Sequence, residues 1–167
     1  VYRGGRTLDP RLQFMAAQAA RMPAMTTLSP EEARRASAEA AAIYGGRAEP
    51  GVRTEALTIP AAHGSIPARA YRPENQDPAA PVIVFAHFGG GVIGDLDTCD
   101  AFCGILAKLA RAPVVSVEYR LAPEHRFPAG LEDVLGAFRY AREHAASFGA
   151  PAGHAAIGGD SMGGNFA

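Results

Sequence analysis

The chain has 167 residues, of which 48% are hydrophobic and 20% are charged, and its formal net charge is -1. This length and composition suit one globular domain. The balanced charge gives no electrostatic reason to expect nucleic acid or an anionic membrane as a partner. No apolar stretch approaches the roughly 20 residues that span a bilayer, and no signal peptide is visible. We therefore expect a cytoplasmic protein that neither binds nucleic acid nor spans a membrane.

Cys99 and Cys103 are the only cysteines and lie four residues apart in one predicted helix. A disulfide within a helix has poor geometry. A metal site is not expected either, because no histidines stand at ligand spacing from them. Two buried thiols are the prediction, with no metal and no cofactor.

Two amphipathic helices are predicted within residues 1–50. The first begins at Asp9-Pro10, an N-cap followed by proline at the first helical position. Its apolar positions recur at helical spacing and are Leu12, Met15, Ala16, Ala19 and Met22. The second begins with the capping-box spacing Ser29-Pro30-Glu31-Glu32 and ends at Gly45-Gly46. Each helix is expected to cover an apolar surface.

A β-hairpin is predicted after residue 52. Residues 53–59 and 66–71 have the pattern of strands, and Pro60 to Ser65 form the turn between them. Because the turn is short, we expect the two strands to pair antiparallel. His63 lies in this turn and is expected to be a solvated loop residue.

The rest of the chain alternates apolar strands with helices. Val82–Ala86 and Pro113–Val117 are continuous apolar runs, as expected of strands buried on both faces, and the shorter run Ala155–Ile157 precedes Ser161. Helices are predicted between them, over residues 98–110 and 131–144. Their apolar faces are expected to comprise Phe102, Leu106 and Leu109 in the first, and Leu131, Val134, Leu135, Phe138, Tyr140 and Ala141 in the second. This order predicts an α/β protein whose sheet has parallel strands and is covered on both faces.

The segment Gly159-Asp160-Ser161-Met162-Gly163 fits the G-x-S-x-G pattern of a nucleophile elbow. In such an elbow a serine occupies a crowded turn between a strand and a helix, and the small residues two positions before and after it relieve the crowding. Ser161 is therefore a candidate nucleophile. The pattern alone is weak, because glycine and serine also mark ordinary surface turns.

The glycine-rich loop after the first apolar strand fits two different functions. Gly89 to Gly94 match G-x-G-x-x-G, and Glu118 stands near the position of a ribose-binding acid, as in a dinucleotide-binding Rossmann domain. The carboxylates of Asp95, Asp97 and Asp100 oppose this interpretation, because they would repel a pyrophosphate.

The second function for the same loop is oxyanion stabilisation. Backbone N–H groups lower the barrier to acyl transfer when they point at the carbonyl oxygen of an ester, and glycine lets the backbone approach the substrate. In α/β hydrolases such a loop follows the third strand, and the N–H after the nucleophile completes the hole. Here the loop and Ser161 both follow strands of one predicted sheet, so we expect them to converge at its carboxyl edge. A surface loop without function is the third alternative.

Three segments taken together resemble one known family. They are residues 87–98 (HFGGGVIGDLDT), 119–129 (YRLAPEHRFPA) and 159–165 (GDSMGGN). In this order and spacing they resemble the hormone-sensitive-lipase-like esterases, which are bacterial family IV of the α/β-hydrolase fold-3 proteins. The resemblance extends from about Leu8 to the end of the chain and corresponds to the N-terminal half of a family member.

The resemblance implies an α/β-hydrolase fold, with a mostly parallel sheet, an N-terminal antiparallel hairpin and helices on both faces. Residues 1–50 would form N-terminal cap helices. Residues 51–167 would form the N-terminal half of the catalytic domain, truncated after the nucleophile strand. The Rossmann domain becomes a remote alternative, because it explains neither the second nor the third segment.

The resemblance also implies hydrolysis of a small-molecule carboxylic ester through an acyl-enzyme, without cofactor or metal. It assigns Ser161 as nucleophile, Gly89, Gly90 and the N–H of Met162 as oxyanion donors, and His87 and Asp160 as supporting residues. His87 would position the glycine loop rather than act as the base.

The sequence departs from the family pattern at two places in this site. The pattern is histidine, three glycines and then an aromatic residue, whereas here Phe88 and Gly91 have exchanged these places. If position 88 needs a positive φ, phenylalanine would strain the loop. Met162 replaces a usual alanine, so we expect its longer side chain to narrow the acyl pocket.

Catalysis also requires an acid and a histidine, which follow the serine in chain order in α/β hydrolases. Neither follows Ser161 in these 167 residues. Four histidines before it are expected in loops or at a helix end, and they are His63, His125, His144 and His154. We therefore expect a serine esterase whose acid and base are absent from these residues, which would be inactive alone. A non-catalytic ligand-binding protein of the same fold is the alternative.

Overall fold

The computed structural model describes residues 2–3, 5–21 and 23–167. Its strands are β1 Tyr2–Arg3, β2 Arg6–Thr7, β3 Val52–Ala61, β4 Gly64–Pro73, β5 Val82–Ala86, β6 Val114–Val117 and β7 Ala155–Gly159. Its α-helices are α1 Pro10–Ala19, α2 Pro30–Tyr44, α3 Asp100–Ala110, α4 Ala129–Glu143 and α5 Met162–Phe166. None of the helices in the described ranges is long and apolar enough to cross a membrane.

A five-stranded mixed sheet in the order β3-β4-β6-β5-β7 forms the centre of the fold. The strand β4 pairs antiparallel with β3 on one side and with β6 on the other. The strand β5 runs parallel to both of its neighbours, β6 and β7. The predicted α/β class, the N-terminal hairpin and the parallel strands that follow it are confirmed. A separate two-stranded hairpin joins β1 to β2.

The predicted hairpin has a tighter turn than expected. Its strands continue to Ala61 and resume at Gly64. Ile59 pairs with Ile66, and both are buried, which extends the strand pattern toward the turn. Pro60 is tolerated within β3 because β3 is the edge strand of the sheet, where a missing N–H removes no bond to a further strand.

Helices cover both faces of the sheet, as predicted. On one face α4 covers the larger core, which includes Val84 and Val115. On the other face α3 covers a smaller core built around Tyr71, Phe85 and Val114. The central strands β5 and β6 are therefore apolar except at the buried Ser116, because side chains pointing to either face are buried.

The predicted apolar face of α3 is wrong at two of its three residues, because only Leu106 is partly buried against the smaller core. Phe102 and Leu109 are 52% and 77% exposed. The buried residues of α3 are smaller, and they are Ala101, Cys103, Gly104 and Ala107. Small side chains let this helix approach the sheet closely, so its largest apolar residues point outward. In α4, Val134 and Ala141 are buried as expected, whereas Leu135 is 42% exposed.

Both cysteines are free thiols in buried positions, as predicted. Burial raises the pKa of the Cys99 thiol to about 11 and that of Cys103 to about 12. Both therefore behave as small apolar side chains on α3 and at its start.

The two N-terminal helices begin as the sequence predicts but bury little. The Asp9 side chain accepts the N–H of Arg11, and Ser29 and Glu32 form a complete capping box. Met22 lies outside the described residues. Within the described residues α1 has no buried residue and α2 has only Ala33. With the segment after β5, the two helices line a groove of about 730 Å³.

Candidate active site

The register of the parallel strands brings the three motif segments to one level of the sheet. Ala86, the last residue of β5, pairs with Val117 of β6 and with Gly159 of β7. The residues that follow these strands therefore emerge side by side at the carboxyl edge. This edge is where ligands bind in open α/β sheets.

Ser161 occupies a strained turn between β7 and α5. Its backbone has φ 53° and ψ -113°, in the positive-φ region that residues with a side chain rarely adopt. The Asp160 N–H donates to the carbonyl of Ala86 at 3.2 Å, which ties the turn to the end of β5. The strand–turn–helix context that a nucleophile elbow requires is present.

The two glycines of the elbow stand where no side chain fits. A Cβ atom on Gly163 would contact the carbonyl oxygen of Ala86 and would lie 2.7 Å from that of His87. A Cβ atom on Gly159 would lie 2.5 Å from the carbonyl oxygen of Gly163. The turn packs this closely because both positions lack a side chain.

The glycine loop after β5 has three consecutive residues with positive φ. The φ angles are 127° at Gly89, 63° at Gly90 and 74° at Gly91. Phe88 is not among the positive-φ residues of the described chain, so the strain considered at this position does not arise. The carbonyl of Gly89 accepts the N–H groups of Val92 and Ile93, each at 3.0 Å, which closes the loop.

The glycine loop and the elbow lie next to each other, and both carry polar groups that form no hydrogen bond. A Cβ atom on Gly91 would lie 3.8 Å from Cγ of Met162. Among the described residues, the N–H groups of Gly89, Gly90 and Met162 have no acceptor, and the Ser161 hydroxyl has no partner. A carbonyl oxygen that develops negative charge is stabilised by N–H groups of this kind.

His87 is fully buried beneath the loop. Its Nδ1 lies 2.7 Å from the carbonyl oxygen of Phe88, so Nδ1 carries the proton, because a carbonyl only accepts. Burial lowers the pKa of His87, and the ring is neutral near pH 7. The ring stacks on Tyr119 at 4.2 Å, and the Tyr119 hydroxyl donates to the His87 carbonyl at 2.8 Å. These contacts hold the backbone where the loop begins.

A sequence profile described as "alpha/beta hydrolase fold" matches residues 83–167, just over half of the chain. The matched region contains β5 from its second residue onward, the glycine loop and the elbow, and its parallel strands have the register described above. The chain belongs to the alpha/beta hydrolase fold family.

Individual relatives narrow this family membership. The carboxylic ester hydrolase LipN of Mycobacterium tuberculosis is 45% identical in an alignment of 165 positions that covers 96% of this chain and 43% of LipN. The ethyl acetate hydrolase of Pseudomonas putida is 40% identical over 86% of this chain and 46% of its own length. The chain spans about half the length of these relatives.

A solved structure supports the same relationship. The hyperthermophilic esterase from the archaeon Pyrobaculum calidifontis superimposes with a TM-score of 0.87 at 39% identity, over 97% of this chain and 52% of its own. The resemblance to hormone-sensitive-lipase-like esterases is confirmed.

Sequence reasoning missed two residues that hold the hydrolase loop. Tyr119 supports His87 from below, and Arg34 of α2 donates to the carbonyls of Val92 and Ala122. Tyr119 opens the second motif, so its position carried a signal. Nothing in the sequence pointed to Arg34, because the pattern does not distinguish it from the adjacent Arg35.

Glu118 has a structural role here and does not bind a ribose. Its Oε2 accepts the N–H of Leu96 at 2.9 Å, and burial raises its pKa. The helix α3 begins only at Asp100, after a turn in which Asp95 bonds Thr98. The direct passage from glycine loop to helix that a pyrophosphate needs is missing, so the Rossmann alternative is not supported.

Among the described residues, no histidine forms a hydrogen bond with Ser161. The ring of His144 stacks on Tyr140 at 4.1 Å. His63 lies exposed in the hairpin turn as expected, and its Nε2 lies 3.6 Å from Oδ1 of the buried Asp133. No cluster of three potential metal ligands occurs in the described ranges.

Proposed function

We propose that the protein is a serine hydrolase that cleaves small-molecule carboxylic esters, with Ser161 as nucleophile. The observation that carries the proposal is the strained Ser161 turn beside unengaged N–H groups of the glycine loop. Relatives named as a carboxylic ester hydrolase and an ethyl acetate hydrolase support the ester as substrate.

In this proposal the Ser161 oxygen attacks the acyl carbon and forms a tetrahedral intermediate. The N–H groups of Gly89, Gly90 and Met162 stabilise its oxyanion, since they have no other acceptor among the described residues. The alcohol leaves, and water then hydrolyses the acyl-enzyme. No cofactor takes part in these steps.

Two neighbours support this chemistry without taking part in bond making. His87 fixes the start of the loop through its ring and its carbonyl. It is not assigned as the base, because its free nitrogen Nε2 is buried and forms no hydrogen bond with Ser161 or with any other described residue. Asp160 ties the elbow to β5 through its N–H.

A general base must take the proton of Ser161, and a carboxylate must orient that base. We assign both to polypeptide outside these 167 residues. The family order of serine, acid and histidine supports this assignment, as does the length of the relatives, of which the chain spans about half. The 167-residue polypeptide by itself is expected to hydrolyse esters no faster than a residual rate.

Residues 1–50 form the cap over this site in our proposal, and residues 51–167 form the first half of the catalytic domain. The groove between α1, α2 and the loop supports this division. Its lining is largely apolar and includes Ala36, Ala40, Phe88 and Ile93, which suits the hydrocarbon part of an ester. A cytoplasmic location remains an expectation, which cell fractionation tests.

Hydrolysis of p-nitrophenyl butyrate by the naturally encoded protein tests the proposal. Ser161→Ala should lower kcat/KM by about 10³-fold or more, because the nucleophile is lost. The matched control is Ser65→Ala, at an exposed position of β4, which should retain wild-type turnover. A folded Ser161→Ala variant that keeps the wild-type rate would contradict the proposal. A folded wild-type protein without turnover would favour the non-catalytic binding protein.

A further inference from the structure

One arginine of α2 binds both loops that surround the proposed oxyanion site. Arg34 donates from Nε to the Val92 carbonyl at 2.8 Å and from Nη2 to the Ala122 carbonyl at 2.8 Å. The same guanidinium bonds both carboxylate oxygens of Glu124, at 2.9 Å and 2.7 Å. Arg34 lies next to Ala33, the one buried residue that α2 has among those described.

The two carbonyls are placed to fix the glycine loop. Val92 directly follows Gly91, and the Gly91 carbonyl accepts the N–H of Ala122 at 2.7 Å. The consecutive carbonyls of Gly91 and Val92 are thus both bound, the first by Ala122 and the second by Arg34. Three adjacent glycines have wide conformational freedom. The directions of the N–H groups of Gly89 and Gly90 therefore depend on anchors such as these.

The ion pair with Glu124 does not by itself explain why Arg34 also binds two backbone carbonyls. The side chains of Arg34 and Glu124 are 32% and 54% exposed, and ion pairs at such positions contribute little to stability. Arg34 holds the pKa of Glu124 at about 2, so the carboxylate stays charged and orients the guanidinium. A planar fork with several donors can reach two carbonyls and a carboxylate together, which a lysine ammonium cannot.

We propose that Arg34 is a positioning residue that holds the Gly89–Gly91 backbone in its oxyanion-binding arrangement through the carbonyls of Val92 and Ala122. The inference rests on the proposed esterase function. It gives the cap helix α2 a role in the reaction itself, because displacement of α2 would release the loop.

The first test compares p-nitrophenyl butyrate hydrolysis by four variants of the naturally encoded protein. Arg34→Met should lower kcat by about 10- to 100-fold with a smaller change in KM, because the oxyanion donors are misplaced. Arg34→Lys should be nearly as slow, since it keeps the ion pair but not both carbonyl bonds. Glu124→Gln should lose less than either. The control Arg11→Met removes an exposed ion pair on α1 and should match the wild type.

The second test is amide hydrogen exchange, which needs no activity. Exchange over residues 88–93 should be faster in Arg34→Met than in the wild type and in Arg11→Met, with α4 unchanged as internal reference. Unchanged loop exchange, equal acceleration in α4, or full recovery of kcat by Arg34→Lys would each overturn the proposal. A wild type without turnover but with faster loop exchange in Arg34→Met would remove the esterase function and leave the anchoring role supported.

Discussion

At Ser161 the backbone takes a conformation that costs on the order of 1–3 kcal/mol for a residue with a side chain. Contacts on both sides of Ser161 hold the turn in this conformation. Asp160 is bonded to Ala86, and Gly163 lies against the carbonyls of Ala86 and His87. The proposed nucleophile is thus held by the end of β5, the same strand end that carries the oxyanion loop.

His87 gives a prediction on pH. Burial lowers its pKa in the folded protein, whereas an unfolded histidine titrates near about 6.5. As the pH falls below that value, the unfolded state binds the proton more readily, so the free energy of unfolding falls. Denaturant unfolding should show that the free energy of unfolding falls more between about pH 7.5 and about pH 5.5 in the wild type than in His87→Asn. Equal losses would show that His87 does not carry this pH dependence.

At the scale of elements, the elbow is defined by how closely α5 approaches β5. Carbonyl oxygens at the end of β5 occupy the space that side chains at positions 159 and 163 would need. Glycine at both positions is therefore a packing requirement of the strand–turn–helix unit, separate from any catalytic role.

Glycine substitutions test this packing. Gly163→Ala should lower the free energy of unfolding by about 1–3 kcal/mol, because its Cβ forces the backbone of α5 away from β5. The matched control is Gly136→Ala in α4, where the Cβ would lie 3.5 Å from Cδ1 of Ile66, an ordinary contact. It should be neutral or stabilising by up to about 1 kcal/mol, since alanine favours helix. If urea unfolding gives the two variants the same free energy of unfolding, the packing explanation is wrong.

The sequence predicted some elements better than others, for identifiable physical reasons. The strands β5 and β6 were found because burial on both faces leaves a continuous apolar run. The face of α3 was wrong at two of its three residues, because close packing on the sheet selected the small residues Cys103 and Ala107 over the larger Leu109.

In the candidate site, too, some features were predictable from the sequence and others were not. Ser161 and the glycine loop were found because their backbone geometry demands glycine at fixed spacing. Arg34 was not found, because its partner Glu124 lies 90 residues away and no local pattern joins the two. Only the folded chain brings α2 to the second motif.

At the scale of the whole molecule, the strand order explains why three distant motifs form one site. The parallel strands β6, β5 and β7 are adjacent and in register, so the loops that follow them share one edge. The strand β7 lies at the border of the described sheet, with β5 as its partner. The proposed nucleophile and the proposed oxyanion donors lie at this edge, and we propose that the base and the acid come from polypeptide outside these 167 residues.

Covalent labelling of the naturally encoded protein with a fluorophosphonate tests the central claim, that Ser161 is an activated nucleophile beside an oxyanion site. Intact mass spectrometry should show one adduct per chain, and peptide mapping should place it on Ser161. Ser161→Ala should remain unlabelled, while Ser65→Ala should label as the wild type does. A folded wild-type protein that forms no adduct, or forms it on another residue, would contradict the account.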